Sequence, residues 1–240
     1  MNIQPYLILN GIDSRSITGL LISSLAPISK PLVRTQVETV DGRDGDIVTP
    51  LGYSAYDKVI KIGLTYNYNI DEIIDYFNSS GVVIFSNEPD KYYTYAIYEQ
   101  IDFEKLIKFK TAEVTLHVQP FKFSTEERAQ TFTDLGAVTS IDIYNAGNIY
   151  SRPKLTIRAS GDVVVSTNGF DILSIAFGET MQTVIIDCEK MNAYDAENNL
   201  INRIVTGNYD KIMLNKGANI IELEGNAIAE FTIDKYSRWI

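Results

Sequence analysis

Imidazole and thiol chemistry in this chain rest on two residues, because His117 and Cys188 are its single histidine and single cysteine. A zinc site of the Cys and His type needs several such ligands and an internal disulfide needs two thiols, so both are excluded. A nucleophile triad would have to recruit His117. In 112–118 the residues Val114, Leu116 and Val118 alternate with Glu113, Thr115 and His117, which puts the imidazole on the polar face of a strand. There it reads as a solvated or interface histidine rather than a general base. Cys188 ends the run 183–188, where it shares a face with Val184 and Ile186 and reads as an inert buried thiol.

Carboxylates are the other candidates. The loop 41–46 has the composition of a calcium site, but Arg43 stands at a ligand position and Gly52 where a bidentate glutamate should close the loop. The loop 195–199 fails in the same way, with Thr206 at the closing position. Glu126 with Glu127, or Glu222 with Glu224, could serve a glycoside hydrolase; among 31 acidic residues such pairs arise by chance, and no substrate groove accompanies them. No Gly-rich phosphate loop, Gly-x-Ser-x-Gly elbow or His-Glu-x-x-His helix is present. The expectation is a protein with no catalytic residue, no cofactor and no metal, and not an enzyme. Tyr92, Tyr93, Tyr95 and Tyr98 fit two roles, a stacking platform for sugars or bases and a subunit contact, of which the second fits a strand better.

The elements that must position these residues are mostly strands. Residues 81–98 read as two strands joined by a turn at Pro89 and Asp90. On a period of two, Tyr93 and Tyr95 share a face with Ile97 while Tyr92 and Tyr98 share the other, which implies cover on both sides. Asn10-Gly11 has the composition of a type I′ hairpin turn. Asp41-Gly-Arg-Asp-Gly45 is a second turn, between 35–40 and a later alternating run at 59–66. Ile70, Ile73, Ile74 and Phe77 form an apolar stripe, so one helix is expected near 69–79, capped by Asn69 with Glu72 and followed by Gly81, as the only substantial helix. Pro120 is expected to end the strand at 112–118, and the polar stretch 122–131 to mark a domain boundary near 130. Beyond it, turns at 145–148, 161–162, 168–169, 197–199, 207–208, 215–217 and 225–226 have the spacing of a sandwich or jelly roll.

Composition bounds the partners. The 240 residues are 45% hydrophobic and 11% aromatic, enough for two cores, and the net charge is −10. Residues 1–130 carry 12 basic and 17 acidic side chains and residues 131–240 carry 9 and 14, so each part holds −5. Such a chain is a poor match for phosphate backbones or anionic lipid, and neither specific nucleic-acid binding nor membrane binding is expected. The longest uncharged stretch, 16–29, is broken by Gly19 and Pro27, too short for a membrane span. Residues 1–6 lack a basic segment leading into an apolar core, so synthesis in the cytoplasm without a signal peptide is expected.

Several motifs carry a resemblance. Asp41-Gly-Arg-Asp-Gly45, Gly52-Tyr-Ser-Ala-Tyr56, Ile84-Phe-Ser-Asn-Glu-Pro-Asp-Lys-Tyr-Tyr93 and Gln119-Pro-Phe-Lys-Phe123 together resemble the N-terminal signature of the distal tail protein family of long-tailed bacteriophages. The similarity continues through Asn145-Ala-Gly-Asn148, Ser151-Arg-Pro153, Asn168-Gly169, Ile185-Ile-Asp187, Asn215-Lys-Gly-Ala-Asn219 and Arg238-Trp239. It implies a mainly β protein: an N-terminal β-sandwich with one helix and a protruding hairpin over 1–130, then a galectin-like, jelly-roll type β-sandwich over 131–240.

The resemblance further implies a homohexamer ringing the tail tip of a phage, prophage or tail-like particle. That ring would sit between the tail tube protein and the tail-associated hub or lysin protein and carry receptor-binding proteins. Asp41, Arg43, Asp44, Tyr92, Tyr93 and Tyr95 are the candidate ring contacts, with Arg43 expected to pair with an acid of the neighbouring subunit. An acidic ring would also let DNA slide through without trapping it. Galectins hold sugar with His, Asn, Arg and Trp in one groove, whereas here the histidine lies in the first part and the single tryptophan at 239, so glycan binding does not carry over. A stand-alone carbohydrate-binding module ranks second and a β-rich glycoside hydrolase last.

Overall fold

The computed structural model describes residues 4–169 and 171–240, which form two compact units changing over between Thr125 and Glu126. The change falls inside the polar stretch, ahead of residue 130. Both units are mainly β, built of curled antiparallel sheets.

The first unit contains β1 (Leu7–Leu9), β2 (Ile12–Asp13), β3 (Leu20–Ser24), β4 (Val33–Thr39), β5 (Asp46–Tyr53), β6 (Tyr56–Leu64), α1 (Ile70–Phe77), β7 (Ser80–Phe85), β8 (Lys91–Ala96), α2 (Phe103–Phe109) and β9 (Thr111–Ser124). Its main sheet runs β2-β1-β7-β8-β9-β6-β3. The turn from β1 to β2 is Asn10-Gly11, with φ of 49° and 86°, the left-handed pair a type I′ turn requires. Helix α1 forms where the stripe placed it: the Asn69 side chain accepts the Glu72 N–H, and Ile73 and Phe77 are buried in the core while Ile70 and Ile74 are half-buried. The sheet supplies the rest of that core, including Leu9, Ile60, Ile62, Phe85, Tyr93 and Leu116. Each such side chain contributes roughly 1.5–3 kcal/mol by leaving water.

Four expectations are corrected in this unit. A second helix, α2, is present; Asp102 caps it by accepting the Lys105 N–H, and Leu106 anchors it in the core. The partner of β4 is β5 rather than the run at 59–66, whose residues 59–64 belong to β6 in the main sheet. Pro50 and Gly52 hide β5, and the register shift at Arg34/Thr35 falls beside them. Helix α1 stops at Phe77, and Gly81 lies inside β7 rather than at the helix end. Pro120 does not end β9: against β8 the register jumps from Tyr95↔Val118 to Tyr93↔Lys122, and the proline, with no N–H to donate, sits in that bulge.

The second unit contains β10 (Gln130–Thr133), β11 (Val138–Asn145), β12 (Lys154–Thr167), β13 (Asp171–Ala176), β14 (Gln182–Asp187), β15 (Asn192–Tyr194), β16 (Val205–Gly207) and β17 (Gly217–Asp234). Strands follow the order β10-β17-β12-β13-β16, with β11 also on β17 and β14 joining β12 to β15. The long strands β12 and β17 each change partners along their length: β12 pairs β14 over Lys154 to Ala159 and β13 over Asp162 to Thr167. At the changeover the β12–β17 register shifts between Ser160 and Val163. Gly161-Asp162 and Gly225-Asn226 therefore lie within continuous strands at an irregularity, not at turns. Where strands bend between layers, bulges are how a ladder turns the corner.

The turn at 145–148 is held by a buried asparagine. Asn145 donates its amide to the carbonyls of Ile149 and Leu214 and accepts the Gly147 N–H at 2.9 Å, leaving no unmet polar atom on its side chain. Val184, Ile186 and Cys188 are all fully buried, as their shared face required.

Candidate assembly surface

Alternate side chains on β7 and β8, among them Val83, Phe85, Tyr93 and Tyr95, face the core of their own unit. Tyr93 is 0% and Tyr95 3% exposed. Phe85 meets Tyr93 edge to face at 5.6 Å, and the Tyr95 hydroxyl shares a 2.6 Å hydrogen bond with Ser79. Tyr93 donates to Glu88 Oε2 at 2.6 Å, while Lys122 donates to Glu88 Oε1 at 2.7 Å. Lys58, 2% exposed, donates to the Pro27 carbonyl and lies 5.0 Å from the Tyr93 ring centre. Burial holds the Lys58 ammonium below its ordinary pKa and raises the Tyr93 phenol well above its own. Two lysines, one glutamate and a phenol thus form a satisfied internal cluster. Tyr93 and Tyr95, two of the candidate ring contacts, thus pack inside their own unit. Tyr92, on the other face, is half-buried and stacks on Phe123 at 5.4 Å.

The β4–β5 hairpin has the opposite character. Its strands pair only with each other, from Val33↔Tyr53 to Thr39↔Asp46. Val37 and Val48 stand directly opposite and are each 56% exposed. At the turn, the Arg43 N–H donates to the Val40 carbonyl at 3.1 Å, and Thr39 donates to Asp46. Glu38, Asp41, Arg43, Asp44 and Asp46 make no ion pair among the described residues. A fold keeps such a bare two-stranded ribbon only at a cost, since an isolated hairpin is marginal in water.

The residues that could do chemistry are dispersed or already occupied. His117 Nδ1 lies 2.7 Å from Asp57, with the exposed Tyr98 ring at 5.7 Å, on the outer face of the sheet. Burial pushes the Cys188 thiol up to about 12, which removes its thiolate at neutral pH. Asp195 turns inward on its own loop; the Asn199 side-chain amide, followed by the backbone N–H groups of Asn199 and Glu197, donates to its carboxyl and holds it below the usual range. Glu127 is tied to Ser237 by bonds of 2.8 and 2.6 Å, and Glu222 accepts from Ser166. Among the described residues no group of three or more His, Cys, Asp or Glu side chains converges as metal ligands would. No helix among them is long and apolar enough to cross a membrane.

Sequence reasoning missed α2. An open recess on it is lined by Asp102, Glu104, Lys105, Lys108 and Phe109. The signals were present: Asp102 as cap, Glu104 in the first turn and Lys108 in the last.

The fold of two β units recurs in solved structures of phage proteins. The crystal structure of SPP1 Dit (gp 19.1), described as a paradigm of the hub adsorption apparatus in phages infecting Gram-positive bacteria, has this fold. It matches with a TM-score of 0.68 over 95% of this chain and 97% of that one, at 14% sequence identity. A chain of the phage p2 baseplate, in its activated conformation with Sr, matches with a TM-score of 0.51 over 96% and 97%, at 12% identity. No family model matches the sequence, and no curated protein matches it.

Proposed function

We propose that this chain is a structural subunit of a phage tail tip: a distal tail protein that closes into a hexameric ring at the baseplate. In this reading the ring joins the tail tube to the tail-associated hub or lysin protein and presents receptor-binding proteins around its rim. The observation that carries the reading is the fold likeness to SPP1 Dit, which runs through both units and nearly the whole of each chain. The bare β4–β5 hairpin supports it, because a ring of identical subunits needs two different adhesive surfaces on each copy. Residues able to do chemistry are paired, buried or scattered, which suits a structural role. The lectin alternative has less to stand on, since burial takes Tyr93 and Tyr95 out of any exposed sugar platform.

Electron microscopy of the purified protein tests the proposal. Rings of six-fold symmetry are the expected result. A persistent monomer retained by host cell-wall glycan would overturn it in favour of a lectin.

A further inference from the structure

We propose that the α2 recess receives the tip of the β4–β5 hairpin from a second copy of this chain. The proposal rests on the reading of the protein as a self-assembling subunit and names the two surfaces that meet.

Each surface sets exposed apolar side chains among charged ones, and the two stretches differ in the sign of their net charge. On α2, Leu106 is fully buried and fixes the helix, while Ile107 and Phe109 are 40% and 61% exposed. Lys105, Lys108 and Lys110 neighbour them in the sequence, Lys108 with its ammonium 5.4 Å from the Phe109 ring centre, and none of the three makes an ion pair among the described residues. Residues 102–110 therefore hold three lysines against Asp102 and Glu104, a net +1 in a chain of net −10. Residues 37–48 of the hairpin hold Glu38, Asp41, Asp44 and Asp46 against Arg43, a net −3. The exposed Val37 and Val48 pair supplies the apolar centre there.

The match extends to the minority charges. Arg43 stands among the hairpin carboxylates, and Asp102 and Glu104 line the recess beside the lysines. A docked tip gives Arg43 an acid while its neighbouring aspartates meet lysines, a pattern that sets register as well as attraction. The contact joins two different patches of one chain, so it is heterologous and propagates from copy to copy until a ring closes.

Directed disulfide formation tests the contact. Cys188 is 0% exposed, so a thiol added at the surface is the accessible one. Val48→Cys and Phe109→Cys proteins are mixed and oxidised, with Val48→Cys plus Lys216→Cys as the control pair; Lys216 is exposed in the second unit. Docking raises the local thiol concentration, so the V48C–F109C disulfide should form at least about tenfold faster than the control. Adding Lys105→Glu and Lys108→Glu to the F109C chain should return it to the control rate. Equal rates for the two pairs would overturn the proposal. The wild-type mass, measured alongside, separates the two claims: a ring without the specific disulfide retains the assembly reading and rejects this contact. A specific disulfide from a wild-type protein that never closes a ring does the reverse.

Discussion

The first unit holds two hairpins of similar length and opposite fate. The β7–β8 pair carries Tyr93 and Tyr95 into the core and surrounds Glu88 with donors, so its residues are satisfied within one chain. The β4–β5 pair is exposed along nearly all its length, and its charges have no ion-pair partners among the described residues. Both are rich in β-forming residues, so propensity does not separate them. Burial does: one hairpin sends its tyrosines into the core, and the other stands exposed along nearly all its length.

That contrast is open to attack at its strongest point first. Tyr93→Ala should cost about 3–5 kcal/mol, as large aromatic deletions in a core do, and lower the urea midpoint strongly. Val37→Thr with Val48→Thr should leave the midpoint within about 0.5 kcal/mol, because exposed positions away from special geometry tolerate change. Equal losses from the two variants would erase the distinction. Glu88→Ala comes next. It strands the Lys122 ammonium in a site where that side chain is 9% exposed, and a loss of about 3 kcal/mol is expected from urea denaturation.

The buried phenols give a smaller, pH-dependent effect. Burial raises the pKa of Tyr76 and Tyr93 above the ordinary 10.0. The unfolded chain releases those protons as the pH passes 10 while the folded protein keeps them, so stability falls by up to about 1.4 kcal/mol per pH unit for each phenol. Lys58 acts in the opposite sense, because its folded pKa is lowered from 10.5 and the unfolded chain holds the extra proton below that value. Denaturation at about pH 9 and about pH 11 should show the net fall, and Tyr76→Phe should flatten it; a stability that keeps rising through this range would contradict the buried phenols. The smallest effect on the fold should come from Arg43→Glu, with an unchanged melting temperature and a weakened assembly by light scattering. An unchanged assembly would remove Arg43 from the interface.

Much of this was legible in particular residues. The 81–98 text gave β7, its turn and β8 because apolar alternation, Pro89 and tyrosine all agree. Asn69 and the isoleucine stripe gave α1 for the same reason. The run containing α2 is short, and its apolar residues fit a strand as well as a helix, so only the caps distinguish them. Gly161-Asp162 and Gly225-Asn226 read as turns because a bulge and a turn use the same residue types; only pairing between distant strands tells them apart. The hairpin tip was visible from its glycines and aspartates. Which tyrosines face inward was not, since alternation identifies two faces without saying which one meets the core.

The separation of fold from assembly is tested most directly by the mass of the protein in solution with and without residues 40–45. The intact chain is expected to assemble to about six times its 26.9 kDa, and the shortened chain to be a monomer melting at the same temperature. A shortened chain that still forms the full assembly, or one that unfolds with the loss of its hairpin tip, would contradict it.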